Sequence, residues 1–121
     1  MAKTLSEVRT QIAAGQARNR RNFKFAADPW WLDDLALTRR LLQAAREHAG
    51  GQAHLIVDAA LSYRTAAQGL RLFPIFRDAS IWFLEAPLPL DDIEGHIERS
   101  RYGITLGTGD LGLSDALMRF V

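Results

Sequence analysis

The sequence predicts an α/β fold with a parallel sheet, and three observations carry that prediction. A leading helix signal is followed by strand and helix patterns that alternate four times. Two of the strand runs, Leu55–Val57 and Ile81–Leu84, are continuously apolar rather than alternating, which is the pattern of strands covered on both faces. The helical stretches between them supply the right-handed crossovers that parallel pairing requires.

The elements follow in order. Thr4-Leu5-Ser6-Glu7 has the form of a capping box, and Leu5, Val8 and Ile12 recur at helical spacing until Gly15. A basic, polar stretch leads into Asn22-Phe23-Lys24-Phe25-Ala26, which is short and β-capable. Asp33 and Asp34 open the clearest helix, with Leu37, Leu41, Ala44 and Ala45 as its apolar stripe. Arg39, Arg40, Gln43, Arg46 and Glu47 take its other faces, and Gly50-Gly51 stops it. His54–Asp58 is the next strand. Ser62 can cap a helix through Ala66, Ala67, Leu70 and Phe73, which Pro74 kinks or ends. Ile81–Glu85 repeats the strand pattern, and Asp91-Asp92 starts a short helix through Ile93 and Ile97. Tyr102–Leu106 is a fourth strand, followed by a glycine-rich turn over 107–112 and a last turn or two that Ser114 caps.

Composition bounds the function classes. With 121 residues, 48% hydrophobic and 24% charged, the chain is an ordinary folded domain rather than a disordered tail. It is expected to form a single domain over 1–121, with 1–21 as an N-terminal helix and basic link. The net charge of +1 gives no bulk field for nucleic acid or membrane. Residues 1–24 nevertheless carry six basic side chains against Glu7 alone, a net of +5 that leaves −4 for the rest. A basic arm of this kind can touch phosphate or an acidic partner. No aromatics are interleaved with Arg18–Arg21 as single-strand binders need, so a solvated helix end is the simpler account. There are no cysteines, hence no disulfide, thiolate metal site or cysteine nucleophile. No apolar run reaches the ~18–20 residues of a membrane span, and the N-terminus lacks a signal-peptide core. A soluble, cytoplasmic protein is expected.

The chemistry gathers at the strand ends. In parallel α/β folds the functional edge lies at the carboxyl ends of the strands. Here those ends carry Lys24, Asp58, Glu85 and the Thr108–Asp110 turn. Three converging carboxylates are costly unless a cation neutralises them, and oxygen ligands without Cys or paired His favour a hard ion, Mg²⁺ above all. Lys24 beside such a site can serve as a base if a cation and partial burial lower its pKa. The alternative is that each acid caps the helix that follows it. Gly107-x-Gly109-x-x-Gly112 matches a dinucleotide fingerprint in form only, because nine residues remain after it and no later acid completes the unit. His48, His54 and His96 share no ligand spacing. Trp30, Trp31 and Trp82 read as core and cap-contact aromatics.

At these residues the sequence resembles the enolase superfamily, in particular its mandelate racemase and muconate-lactonizing branch with the acid-sugar dehydratases. The resemblance rests on Val57-Asp58-Ala59-Ala60, on the stretch from Trp82 through Glu85-Ala86-Pro87-Leu88-Pro89-Leu90 to Asp91-Asp92, and on the helix spanning Asp28–Gly50. It implies a (β/α)₇β barrel that removes a proton α to a carboxylate while a divalent metal stabilises the enediolate. By resemblance Asp58 and Glu85 match the first and second metal ligands, and Lys24 the first lysine of a Lys-x-Lys pair. The third ligand position falls on Thr108, with Asp110 two residues on. Ala26 stands where the second lysine, usually the base, would be. Ala60 replaces an asparagine and Ala86 a second glutamate. A full barrel of this kind takes roughly 250 residues, so four βα units make about half of one, without a capping domain. The resemblance therefore implies Mg²⁺, a small acid-sugar or hydroxy-acid substrate, and a carbon–oxygen lyase or racemase reaction with little activity in this chain alone. Two open sheet edges imply a homo-oligomer. A non-catalytic half-barrel or self-assembling subunit is the alternative.

Overall fold

The computed structural model describes residues 3–59, 66–85 and 104–107. Helix α1, Leu5–Ala17, starts where the sequence predicts: the Thr4 side chain accepts from the Glu7 N–H at 3.1 Å. The return bond of the capping box shifts by one residue, since the Glu7 carboxylate accepts from the Lys3 N–H. Only Val8 and Ile12 of α1 are buried, a narrow stripe laid against α2. Strand β1 is Phe23–Ala26, and a 3₁₀ turn over Pro29–Leu32 buries Trp31. Helix α2, Leu35–Ala49, is capped by Asp34, whose side chain accepts from the Leu37 N–H at 2.9 Å, and ends at Gly50 with φ +89°. Strand β2 is Leu55–Asp58.

Two short helices follow where one was expected, α3 over Ala66–Leu70 and α4 over Phe73–Asp78. Pro74 lies in the first turn of α4, where its missing N–H has no intrahelical partner to lose. The proline therefore starts a helix instead of ending one. Strand β3 is Ile81–Glu85 and β4 is Thr105–Gly107. The four strands form one sheet in the order β1-β2-β3-β4, every pair parallel. Ser62, the Asp91–Ile97 helix, His96, Thr108–Gly112 and the Ser114 turn lie outside the described residues. Among the described residues no helix is long and apolar enough to cross a membrane.

Burial on both faces of the strands is corrected. Leu55, Val57, Ile81 and Leu84 are buried under the helices with Phe25, whereas Ile56 and Phe83 are only half-buried. The continuous apolar runs thus reflect two different environments. One face packs on α2 and α4, and the other carries the apolar residues that would line the inside of a closed barrel. The packed face is anchored by Trp31, Phe73 and Phe76, with Phe76 edge-on to Trp31 at 6.2 Å.

One polar residue is sealed in this core. Thr38 is fully buried, and its hydroxyl lies 2.9 Å from the Asp34 carbonyl and 3.2 Å from that of Trp31. It thereby ties the 3₁₀ turn to α2. Thr38→Val keeps the shape but deprives the Trp31 carbonyl of this donor. It is expected to lower stability by about 1–2 kcal/mol, read as a shift of the urea midpoint at unchanged slope.

Candidate active site

Strand register, rather than side-chain reach, assembles the site. Ala26 is paired with Asp58, Asp58 with Glu85, and Glu85 with Gly107, so the four stand in one row at the carboxyl ends of β1–β4. The hydrogen bonding runs on past the strand ends, with Ala27 N–H donating to the Asp58 carbonyl at 2.8 Å and Ala59 N–H to the Glu85 carbonyl at 2.9 Å. This fixes the backbone under both carboxylates. Side chains two residues apart share a face, so Lys24 rises on the same side as Ala26 and leans over the row. Its Nζ lies 3.3 Å from Asp58 Oδ2 and in direct contact with Glu85 Oε2.

The expected convergence of Asp58 and Glu85 is therefore present. Both carboxylates reach one positively charged nitrogen from adjacent strands. Asp58 and Glu85 share Lys24. Their side chains are 24% and 15% exposed, against 49% for Lys24, so the acids sit in the floor and the lysine at the rim.

The lysine pKa moves in the opposite direction from that expected beside a cation. The hydrogen bond to Glu85 pushes it above the ordinary lysine value, against an opposing pull from desolvation and with further help from Asp58. With both carboxylates against it, the ammonium form of Lys24 is favoured. Ala26, level with Asp58, adds only a methyl group.

Oxygen atoms from two strands that converge on one cationic point fit a hard cation such as Mg²⁺. They supply two of the ligand positions that the resemblance implies. Thr108 and Asp110, the candidates for the third, lie outside the described residues. Among the described residues no three His, Cys, Asp or Glu side chains are grouped to hold a metal.

The aromatic and histidine assignments divide. Trp31 is core, and the Trp30 indole N–H donates to Asp28 at 3.2 Å. Trp82 is not core: it is 49% exposed and stacks on His54, ring centroids 4.3 Å apart and 11° from parallel. A register shift places this extra residue of β3 opposite the Leu55/Ile56 step of β2. Sequence reading also missed Phe83, half-buried two residues before Glu85 on the open face. Its alternation with Glu85 was the available signal.

A family model described as enolase C-terminal domain-like matches residues 6–112. Among solved structures, the chain is similar to a racemase from Streptomyces coelicolor with bound magnesium, at 24% identity and TM-score 0.75 over 89% of this chain and 32% of that one. It is also similar to a predicted mandelate racemase from Rhodobacter sphaeroides, at 20% identity and TM-score 0.83 over 98% and 32%. A mutant galacturonate dehydratase from a Geobacillus species, complexed with magnesium, aligns at 18% identity and TM-score 0.73 over 96% and 32%. No curated protein matches. The chain spans about a third of the length of these three structures.

Proposed function

The chain belongs to the enolase C-terminal domain-like family, and from that premise we propose that it carries the metal-binding rim of a Mg²⁺-dependent enzyme that removes a proton α to a carboxylate. The substrate class is a small acid sugar or hydroxy acid, and the chemistry that of a dehydratase or racemase. The observation that carries this reading is the convergence of Asp58 and Glu85, paired in register on adjacent strands, on one cationic nitrogen. In it Asp58 and Glu85 hold the metal, with Asp110 or Thr108 as third ligand, and Lys24 offers its ammonium to the substrate carboxylate. A bound Mg²⁺ would supply charge stabilisation for the enediolate. With no base at Ala26, this chain by itself is a binding rim more than a catalyst.

Metal titration tests it. Mn²⁺ binding followed by electron paramagnetic resonance, with Mg²⁺ as competitor, is expected at about millimolar affinity, the regime of sites with few charged ligands. Asp58→Asn and Glu85→Gln should each abolish it. Thr108→Glu should tighten it if that residue is the third ligand, whereas Asp110→Asn abolishes it if Asp110 is. Equal binding by wild type and both the Asp58 and Glu85 variants would overturn the reading.

The second reading, a half-barrel that assembles with a second copy of itself, is favoured by the open sheet face. Ile56 and Phe83 on that face are only half-buried. Strand β1 stands at the edge of the described sheet, and an edge strand is open to pairing with another chain. Two copies related by a two-fold axis would cover both. Light scattering at micromolar concentration is expected to give a dimer or larger, and a sharp-lined monomer would exclude assembly.

A further inference from the structure

The amino-terminal pole of the sheet, opposite Asp58 and Glu85, holds a cleft of about 760 Å³. Gln16 lines it from the end of α1, Arg20, Arg21 and Asn22 from the α1–β1 link, and Gln52 and His54 from the α2–β2 link. We propose that this cleft is an anion site for a small phosphate-bearing ligand, held by Arg20 and Arg21 and oriented by the amides around them.

Charge and chemistry agree. The lining has two guanidinium groups and an imidazole but no Asp or Glu. Among the described residues neither arginine enters an ion pair. Adjacent guanidinium forks match a phosphate, with its near-double charge and three free oxygens, better than a single carboxylate. The amides of Gln16, Asn22 and Gln52 suit the hydroxyl-rich body that such a phosphate is carried on, and the volume is that of a small-molecule site. A nucleic-acid strand is disfavoured, because the one aromatic face at the cleft, that of His54, is already stacked on Trp82.

The walls are fixed rather than loose. Gln16 Nε2 donates to the His48 carbonyl at 2.8 Å, which joins α1 to α2 beside the cleft. The Asn22 side chain accepts from the His54 N–H at 3.0 Å, and Phe23 N–H donates to the His54 carbonyl at 3.0 Å. Between them Asn19 turns the chain at φ +61°, with Arg20 N–H bonded to the Gly15 carbonyl at 2.9 Å. Both arginines therefore leave a backbone strap that is tied at each end. Along β2 this pole lies about 13 Å from Asp58, so the site is independent of the metal rim.

The experiment is a titration of the full chain with inorganic phosphate, then pyrophosphate, at constant ionic strength, read by amide chemical shifts. Shifts are expected to concentrate at Arg20–Asn22 and Gln52–His54. Pyrophosphate should bind more tightly than phosphate. The double variant Arg20→Gln/Arg21→Gln, whose side chains are exposed and whose fold should survive, is expected to weaken binding by about tenfold or more. Asp58→Asn should leave it unchanged, which separates failure here from failure at the rim. Undiminished binding in the double variant would overturn the proposal. So would equal shifts at Arg39 and Arg40 on α2, or an equal response to acetate.

Discussion

With Mg²⁺ and an acid-sugar carboxylate, the purified 121-residue chain is expected to show turnover at the uncatalysed rate. Two losses produce this. At the position level with Asp58, where the resemblance puts the base, stands Ala26, whose methyl group takes no proton. The described strands form one four-stranded sheet, and among them none stands across from this row to supply a second group. General acid and base groups each contribute about 10²–10⁴-fold, so their joint loss removes most of what a metal rim leaves. The check is α-proton exchange in D₂O by NMR together with product formation. Ala26→Lys returns one of the two groups, and exchange should remain near background because among the described strands no second group faces it. Robust metal-dependent turnover by wild type would refute the argument.

How much of this was legible in the sequence follows the range of the forces involved. The caps at Thr4 and Asp34 are local chemistry, set by side chains three residues from the amides they satisfy, and both stand where expected. The alignment of Asp58 and Glu85 was legible because each closes its own strand and parallel register then aligns the ends, whereas β1, expected to end on Lys24, runs on to Ala26. Pro74 was misread because a proline signals a break without saying on which side the helix lies. Trp82 was misread because its exposure depends on a register shift between β2 and β3, which no run of residues in β3 reveals. The direction of the Lys24 pKa depends on contact with residues 34 and 61 positions away in the chain. Arg46 was read as one of several polar residues on the outer faces of α2, and nothing in a helical pattern distinguishes it.

Among the described residues, Arg46 is the charged side chain whose loss should cost the fold most. Its Nε donates to the Ala79 carbonyl at 2.9 Å and Nη2 to that of Ser80 at 2.8 Å. Nη1 reaches the carbonyls of Gly50 at 2.9 Å and Ala53 at 2.7 Å. One guanidinium thus ties the turn that enters β2 to the turn that enters β3, and so sets where both strands begin. Burial pulls its pKa below the ordinary arginine value, yet the group stays charged at any physiological pH. It also faces strain, since Ser80 sits at φ +54°, a conformation that costs a non-glycine residue about 1–2 kcal/mol. The clamp on the Ser80 carbonyl offsets that cost. Arg46→Met keeps the apolar stem and removes every bond, and it is expected to lose about 2–4 kcal/mol, a large share of the stability of a domain this size. Arg46→Lys should recover little, because an ammonium has no planar fork to span two turns. Ser80→Gly relieves the strain directly and should partly rescue Arg46→Met in guanidinium unfolding. If Arg46→Lys matched wild type, a simple charge at this position would suffice and the clamp would be no clamp.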